Sequence, residues 1–343
     1  MKAIVNTQYG SPDILQFKEV AKPTPKDNEV LIKVHASSIN AADLHLLRAD
    51  PFLVRLEMGL IKPKKRTILG GDVAGQVEAV GKSVTQFQPG DEVFSDLSSC
   101  GFGGFAEYVC APETALVLKP TNITFEQAAA VPLAAITALQ GLRDKGQIRA
   151  GQKVLINGAS GGVGMFAVQI AKSFGADVTA VCSTKKLNMV RSLGANHVID
   201  YTQEDVTRTG QRYDLIFDAA AYRSFLDYKR ALTPRGIYVM VGGSNSGLFH
   251  SMIVGALVSM IGSQKFGVLM ATPNAKDLGF LKDLLESGKV VPVIDKCYPL
   301  SETANAFRYV EDRHVQGKVV ITVEQDEQPP LHETVVQLAS QGD

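Results

Sequence analysis

The segment that most constrains this chain is Val154-Leu155-Ile156-Asn157-Gly158-Ala159-Ser160-Gly161-Gly162-Val163-Gly164. Its apolar start reads as a strand buried on both faces, and the glycine-rich run reads as a tight turn into a helix. Val163, Phe166, Ala167, Ile170, Ala171 and Phe174 fall on one helical face, and a second apolar strand begins at Val178. Strand, turn, helix and next strand agree on a βαβ unit whose turn cradles a dinucleotide diphosphate. Gly161 lets the backbone approach the pyrophosphate, and Gly164 lets the helix lie close on the strand. Ala159, Ser160, Gly161, Gly162, Val163 and Gly164 are therefore cofactor-binding candidates, with Ala159 standing where the G-x-G-x-x-G pattern has its first glycine.

The end of the second strand bears on which dinucleotide binds. An NAD site places Asp or Glu there for the ribose 2′-hydroxyl. Here the strand ends Val181-Cys182-Ser183-Thr184-Lys185-Lys186, with hydroxyls and cations and no carboxylate. Ser183, Lys185 and Lys186 suit a 2′-phosphate, so NADPH is expected over NADH. The alternative is that both lysines only open a solvated helix.

Around this unit the 343 residues divide by texture. The first 120 residues or so read as an all-β block, with strand-like runs at Val30–Val34, Val73–Val80, Asp91–Phe94 and Phe105–Val109 between Gly and Pro turns. Thr124 to Leu142 reads as one helix capped by Thr124. Strands then alternate with helices to Phe266–Met270, which predicts a doubly wound α/β sheet with its ligand at the strand carboxyl ends. After Pro273 come a helix (Ala275–Ser287), a strand (Val290–Ile294), a helix (Ser301–Tyr309) and a strand (Lys318–Val323) that return to the first domain. The expected division is 1–123 with 273–323, then 124–272, then an acidic tail, 324–343.

Thirty-five basic residues balance thirty-five acidic ones, which argues against a nucleic-acid partner. The one dense basic run, Lys62, Lys64, Lys65 and Arg66, reads as a solvated loop, with an anionic ligand or lipid headgroup as the other reading. Cys100, Cys110, Cys182 and Cys297 show no C-x-x-C spacing, so a reducing cytosolic location is expected. The most apolar stretch, Leu248 to Ile261, is too short to cross a bilayer and reads as a buried or interface helix.

Four stretches carry a resemblance. Ser38-Ile39-Asn40-Ala41-Ala42-Asp43, Leu69-Gly70-Gly71-Asp72-Val73-Ala74-Gly75-Gln76-Val77 through Gly81, Gly103-Gly104-Phe105-Ala106-Glu107-Tyr108, and the Ala159–Gly164 turn resemble the medium-chain dehydrogenase/reductases, in particular their zinc-free quinone oxidoreductase (ζ-crystallin-like) branch. The resemblance covers about residues 1–323 and implies a GroES-like β-barrel domain and a Rossmann domain with a cleft between them. In the zinc-dependent relatives a Cys and a His-Glu pair stand where this chain has Asn40 and Gly71-Asp72, so no catalytic zinc is expected. His45 and Cys100 are read as packing or cleft residues.

Without a Lewis acid, an acceptor that takes hydride readily is the expected substrate: a quinone or an α,β-unsaturated carbonyl, apolar in character. The resemblance places Asn40 in the cleft, where it donates to the developing oxyanion or serves as a turn or cap residue. Asp43 orders this loop or transfers a proton, and Thr137 packs near the nicotinamide. Tyr201 is implied at the adenosine phosphate, Gly242 and Gly243 at the nicotinamide ribose and carboxamide, and Lys318 at the cofactor. The Pro51–Thr67 insertion, with Phe52, Leu53, Leu56 and Leu60, borders the substrate entrance or packs as a flap on the barrel. A homodimer through the sheet edge near Lys265–Met270 is implied. A metal-free alcohol or aldehyde oxidoreductase and a non-enzymatic nucleotide-binding module are the alternative functions.

Overall fold

The computed structural model describes residues 1–323 apart from 53, 65, 66, 222, 224, 243–261 and 313. The expectations for Leu53, Lys65, Arg66, Gly243, the Leu248–Ile261 stretch and the 324–343 tail lie outside the described residues.

Strands β1 (Lys2–Val5) and β2 (Gln16–Glu19) form a hairpin. They precede a barrel-like sheet of β3 (Glu29–Ser38), β4 (Asp72–Val80), β5 (Glu92–Asp96), β6 (Tyr108–Pro112) and β7 (Val117–Leu118). Two helices interrupt what reads as an all-β block: α1 (Ala41–Arg48) and α2 (Val54–Met58). The missed signal for α1 is local, because Asp43 stands three residues after Asn40 and accepts its backbone N–H at 2.8 Å, which starts the helix.

Thr124 caps the next helix as expected, in a reciprocal box with Gln127. The single helix expected to Leu142 is broken into α3 (Phe125–Ala129) and α4 (Pro132–Gln140), because Pro132 has no N–H to continue α3 and suits a first helical turn. Six parallel strands follow: β8 (Lys153–Asn157), β9 (Asp177–Cys182), β10 (His197–Asp200), β11 (Tyr213–Asp218), β12 (Leu232–Met240) and β13 (Lys265–Val268). Their spatial order, β10-β9-β8-β11-β12-β13, reverses direction between β8 and β11. A ligand crevice belongs at that switch point. Helices α5 (Gly162–Ser173), α6 (Leu187–Ser192) and α7 (Phe225–Lys229) connect strands of this sheet. Met165 and Val168 are buried as well as Phe166, Ala167, Ile170 and Ala171 of the expected α5 face, whose Val163 and Phe174 are partly buried.

The chain returns through α8 (Ala275–Glu286), β14 (Ile294–Pro299), α9 (Thr303–Glu311) and β15 (Lys318–Thr322). Strand β14 starts later than Val290, and Pro292, which cannot donate to a ladder, lies in the expected segment. Leu278, Leu281 and Leu285 of α8 share a core with α4 and α5. Strand β15 pairs antiparallel with β3 and parallel with β14, which carries Lys318 beside Asn40.

Candidate active site

Two constructions meet where β15 passes the switch point. The first is built from backbone. Strand β8 leads into Gly158 at φ +77°, and Ala159 N–H donates back to Val181 O at 3.0 Å, which fixes the turn against β9. Helix α5 begins at Gly162, and the first N–H to close on it is that of Met165, on Gly161 O at 2.9 Å. The N–H groups of Gly162, Val163 and Gly164 therefore form the open, partly positive end of the helix. A Cβ on Gly164 would lie 2.1 Å from Gly158 O, so only glycine lets α5 sit this close. A Cβ on Gly161 would meet nothing nearer than 3.5 Å, so its bare backbone leaves room for a ligand. This cradle fits a diphosphate.

Beside it lies a cavity of about 220 Å³ lined by Gly158, Ser160, Ser183, Lys186, Tyr201 and Arg223 among others. It gathers four of the expected cofactor residues, Ser160, Ser183, Lys186 and Tyr201. Lys185 is exposed and does not line it. Lys186 is half-buried, which pushes its ammonium below the usual lysine range, and it donates to Val315 O at 2.7 Å. A carboxylate does stand at the tip of β9, but it comes from the neighbouring strand. Asp200 accepts from Thr184 Oγ1 and Thr202 Oγ1, and those hydroxyls hold it below the usual carboxylate range. Arg223, which follows β11 and so has no local link to the β9 tip in the sequence, also lines the cavity and pairs with Asp205 at 2.9 Å. Gly242, at the end of β12, packs so that a Cβ would touch Ala219 O at 2.9 Å.

The second construction is built from buried side chains. Asp72 is fully buried at the start of β4. Its Oδ2 accepts from Ser38 Oγ at 2.7 Å and Asn40 Nδ2 at 2.8 Å and lies 3.4 Å from Lys318 Nζ; its Oδ1 accepts from Leu133 N at 2.9 Å. Lys318 Nζ also donates to Asn40 Oδ1 and to Ile39 O. Asn40 thus spends its oxygen and one Nδ2 hydrogen inside the protein and keeps one hydrogen to give. Lys318, implied at the cofactor, is 3% exposed and gives its ammonium to these internal partners. Its stem packs under the phosphate turn, 3.0 Å from where a Gly162 Cβ would be, while Gly317 N–H donates to Ser160 O at 2.9 Å. One β-strand therefore ties the phosphate turn to the Asn40 cluster.

Two more carboxyls border this cluster. Asp43 accepts the N–H groups of Asn40 and Gly70, which favours its ordering role, and burial pushes it up to about 7. Asp96, opposite Asp72 on β5, is pushed up to about 7 by burial and by Asp72, and its Oδ2 has no hydrogen-bond partner. Thr137 commits its hydroxyl hydrogen to Leu133 O at 2.7 Å, so it packs and can only accept. His45 and Cys100 are exposed.

Two family profiles match the chain: "Alcohol dehydrogenase GroES-like domain" over residues 26–121 and "Zinc-binding dehydrogenase" over 193–321. The chain is 36% identical over 335 residues to an "NADPH-dependent alkenal/one oxidoreductase, chloroplastic" of Arabidopsis thaliana, covering 94% of this chain and 79% of that protein. It is 34% identical to a "Chloroplast envelope quinone oxidoreductase homolog" of the same plant, covering 94% and 98%. The solved quinone oxidoreductase of Coxiella burnetii superposes with TM-score 0.84 at 30% identity, covering 94% and 99%. The chain belongs to the zinc-free quinone oxidoreductase branch of the medium-chain dehydrogenase/reductases. The zinc of the profile's title does not fit the residues present. An ammonium, Lys318, sits against Asp72, and among the described residues no three His, Cys, Asp or Glu side chains gather to hold a metal. The pairing of Asp72 with Lys318 is not encoded by any local pattern. The available signal was a charge at the first position of each of two apolar strands, Asp72 on β4 and Lys318 on β15.

Proposed function

We propose that this protein is an NADPH-dependent oxidoreductase that reduces quinones or α,β-unsaturated carbonyls without a metal. The observation that carries the reading is the buried Asn40–Asp72–Lys318 cluster placed beside a phosphate-binding turn. When bound, NADPH supplies the hydride. The turn from Gly158 to Gly164 would hold its diphosphate, and Ser183 and Lys186, with Arg223 beside them, its 2′-phosphate. Tyr201 lines the same cavity.

The chain's own residues then position and polarise the acceptor. Lys318 and Asp72 fix the Asn40 amide so that its remaining Nδ2–H faces a developing oxyanion without reorganisation. Asp43 holds the Asn40 and Gly70 backbones in register, and low exposure throughout the cluster keeps water from competing for the oxyanion. Thr137 packs on the same helix as Leu133, whose N–H completes the Asp72 shell. We place the domain division near residue 123 and self-association at β13, the edge strand of the parallel sheet. Among the described residues no helix is long and apolar enough to cross a membrane, and a reducing cytosolic location is kept as the proposal for these four free cysteines.

The test is NADPH oxidation with 1,4-benzoquinone and with a medium-chain enone, in EDTA, against an NADH control. EDTA-resistant turnover that prefers NADPH is expected. NADPH binding with no turnover of either acceptor would favour the nucleotide-binding module, and loss of activity to EDTA would overturn the metal-free mechanism.

A further inference from the structure

The segment after α1 carries a surface that the catalytic reading does not use. Phe52, Leu56, Leu60 and Ile61 are 65, 65, 60 and 90% exposed. Single exposed apolar residues are ordinary, but a contiguous group marks a contact surface. Here four fall within residues 52–61, and Arg55 bridges two of them, its guanidinium 5.8 Å from the Phe52 ring and its Nη1 3.4 Å from Leu60 O.

The segment is also pinned, and so is not simply an unpacked flap. Met58 is buried, Tyr9 Oη donates to Gly59 O at 2.7 Å, and Lys64 N donates to Met58 O at 2.9 Å. Gly59, at φ +130°, turns the chain where a Cβ would lie 2.4 Å from Lys62 O. With its backbone held this way, the segment presents its apolar side chains to solvent. Charge completes the picture. Residues 50–66 contain five basic and two acidic side chains in a chain whose formal net charge is zero, and Lys62 and Lys64 are exposed next to Ile61.

We propose that this surface docks the protein on an anionic lipid bilayer. The apolar side chains enter the boundary between headgroups and acyl chains, and Arg55, Lys62 and Lys64 lie among the lipid phosphates. Apolar tips flanked by cations match that boundary in both polarity and charge. The proposal stands apart from the reductase reading, although an apolar acceptor dissolved in the bilayer would be reached from such a position.

The experiment is flotation of the full chain with phosphatidylcholine vesicles, with and without phosphatidylglycerol, at low and high salt. Wild-type protein is expected to float with the phosphatidylglycerol vesicles and to be released in part by salt. Lys62→Glu/Lys64→Glu should lower binding to them by about tenfold or more. Ile61→Ser should lower it by about tenfold at either salt. Both variants change exposed side chains, and their thermal melting should match the wild type. No flotation, or equal flotation by all three proteins, would overturn the proposal. So would concentration-dependent self-association that Ile61→Ser abolishes in protein that never floats, since a second copy would then be the occupant.

Discussion

The phosphate turn and the Asn40 cluster lie side by side but are made in different ways. The turn is local and almost entirely backbone: residues 157–165 supply its glycines and its helix start, and backbone bonds hold it to β9 and to Gly317. The cluster is mostly side chain, drawn from β3, Asn40 just before α1, β4 and β15, with the Leu133 N–H from α4 and Lys318 reaching a residue 278 positions away. A backbone site survives most substitutions that spare its glycines. A buried charge pair fails as a unit when one partner goes, because the other is left charged and unpaired.

The largest effect that sharpens this contrast is expected at Lys318. Lys318→Met should cost about 3–5 kcal/mol in denaturant unfolding and reduce turnover, because Asp72 and the Asn40 carbonyl both lose their cation. Adding Asp72→Asn should recover part of the stability. If the single variant is as stable as the wild type, the ammonium is not the keystone of the cluster.

The turn separates two kinds of glycine. Gly164→Ala places a Cβ 2.1 Å from Gly158 O, so α5 must lift and stability should fall by about 2 kcal/mol. Gly161→Ala meets nothing closer than 3.5 Å, so melting should not change while the NADPH Kd rises about tenfold, read by fluorescence titration. Equal loss of stability in both would mean the turn is rigid throughout and leaves no space reserved for ligand.

The smallest effect is a pH dependence of the cluster that the turn lacks. Asp43 and Asp96 are raised by burial to about 7, so between the ordinary carboxylate range and about 7 the folded chain binds more protons than the unfolded one. Their share of stability is therefore lost as pH rises through that window and levels off above it. Asp96→Asn should flatten the fall between about pH 5 and 7 by roughly 1–2 kcal/mol in denaturant midpoints. An unchanged slope would remove Asp96 from the account.

The same contrast explains what could be read from the chain. The βαβ unit, its turn and the parallel strands were legible because periodicity and glycine placement are local. Asn40 and Lys318 were both singled out, but for separate contacts; that they hold one another follows from β15 pairing with β3, which no local pattern encodes. Helix α1 was missed because turn residues before it masked the Asn40–Asp43 box, and the break before α4 turned on the one missing N–H of Pro132. Lys185 and Lys186 are adjacent in one short helical turn, where Lys186 lines the cavity and Lys185 is exposed.

The central claim is that the cluster exists to aim one Asn40 N–H at the acceptor. Steady-state turnover and NADPH affinity of Asn40→Ala test it most directly. The account predicts kcat lower by about 100-fold, with the NADPH Kd within about twofold of wild type. An unchanged kcat, or a loss that lies wholly in NADPH binding, would contradict it.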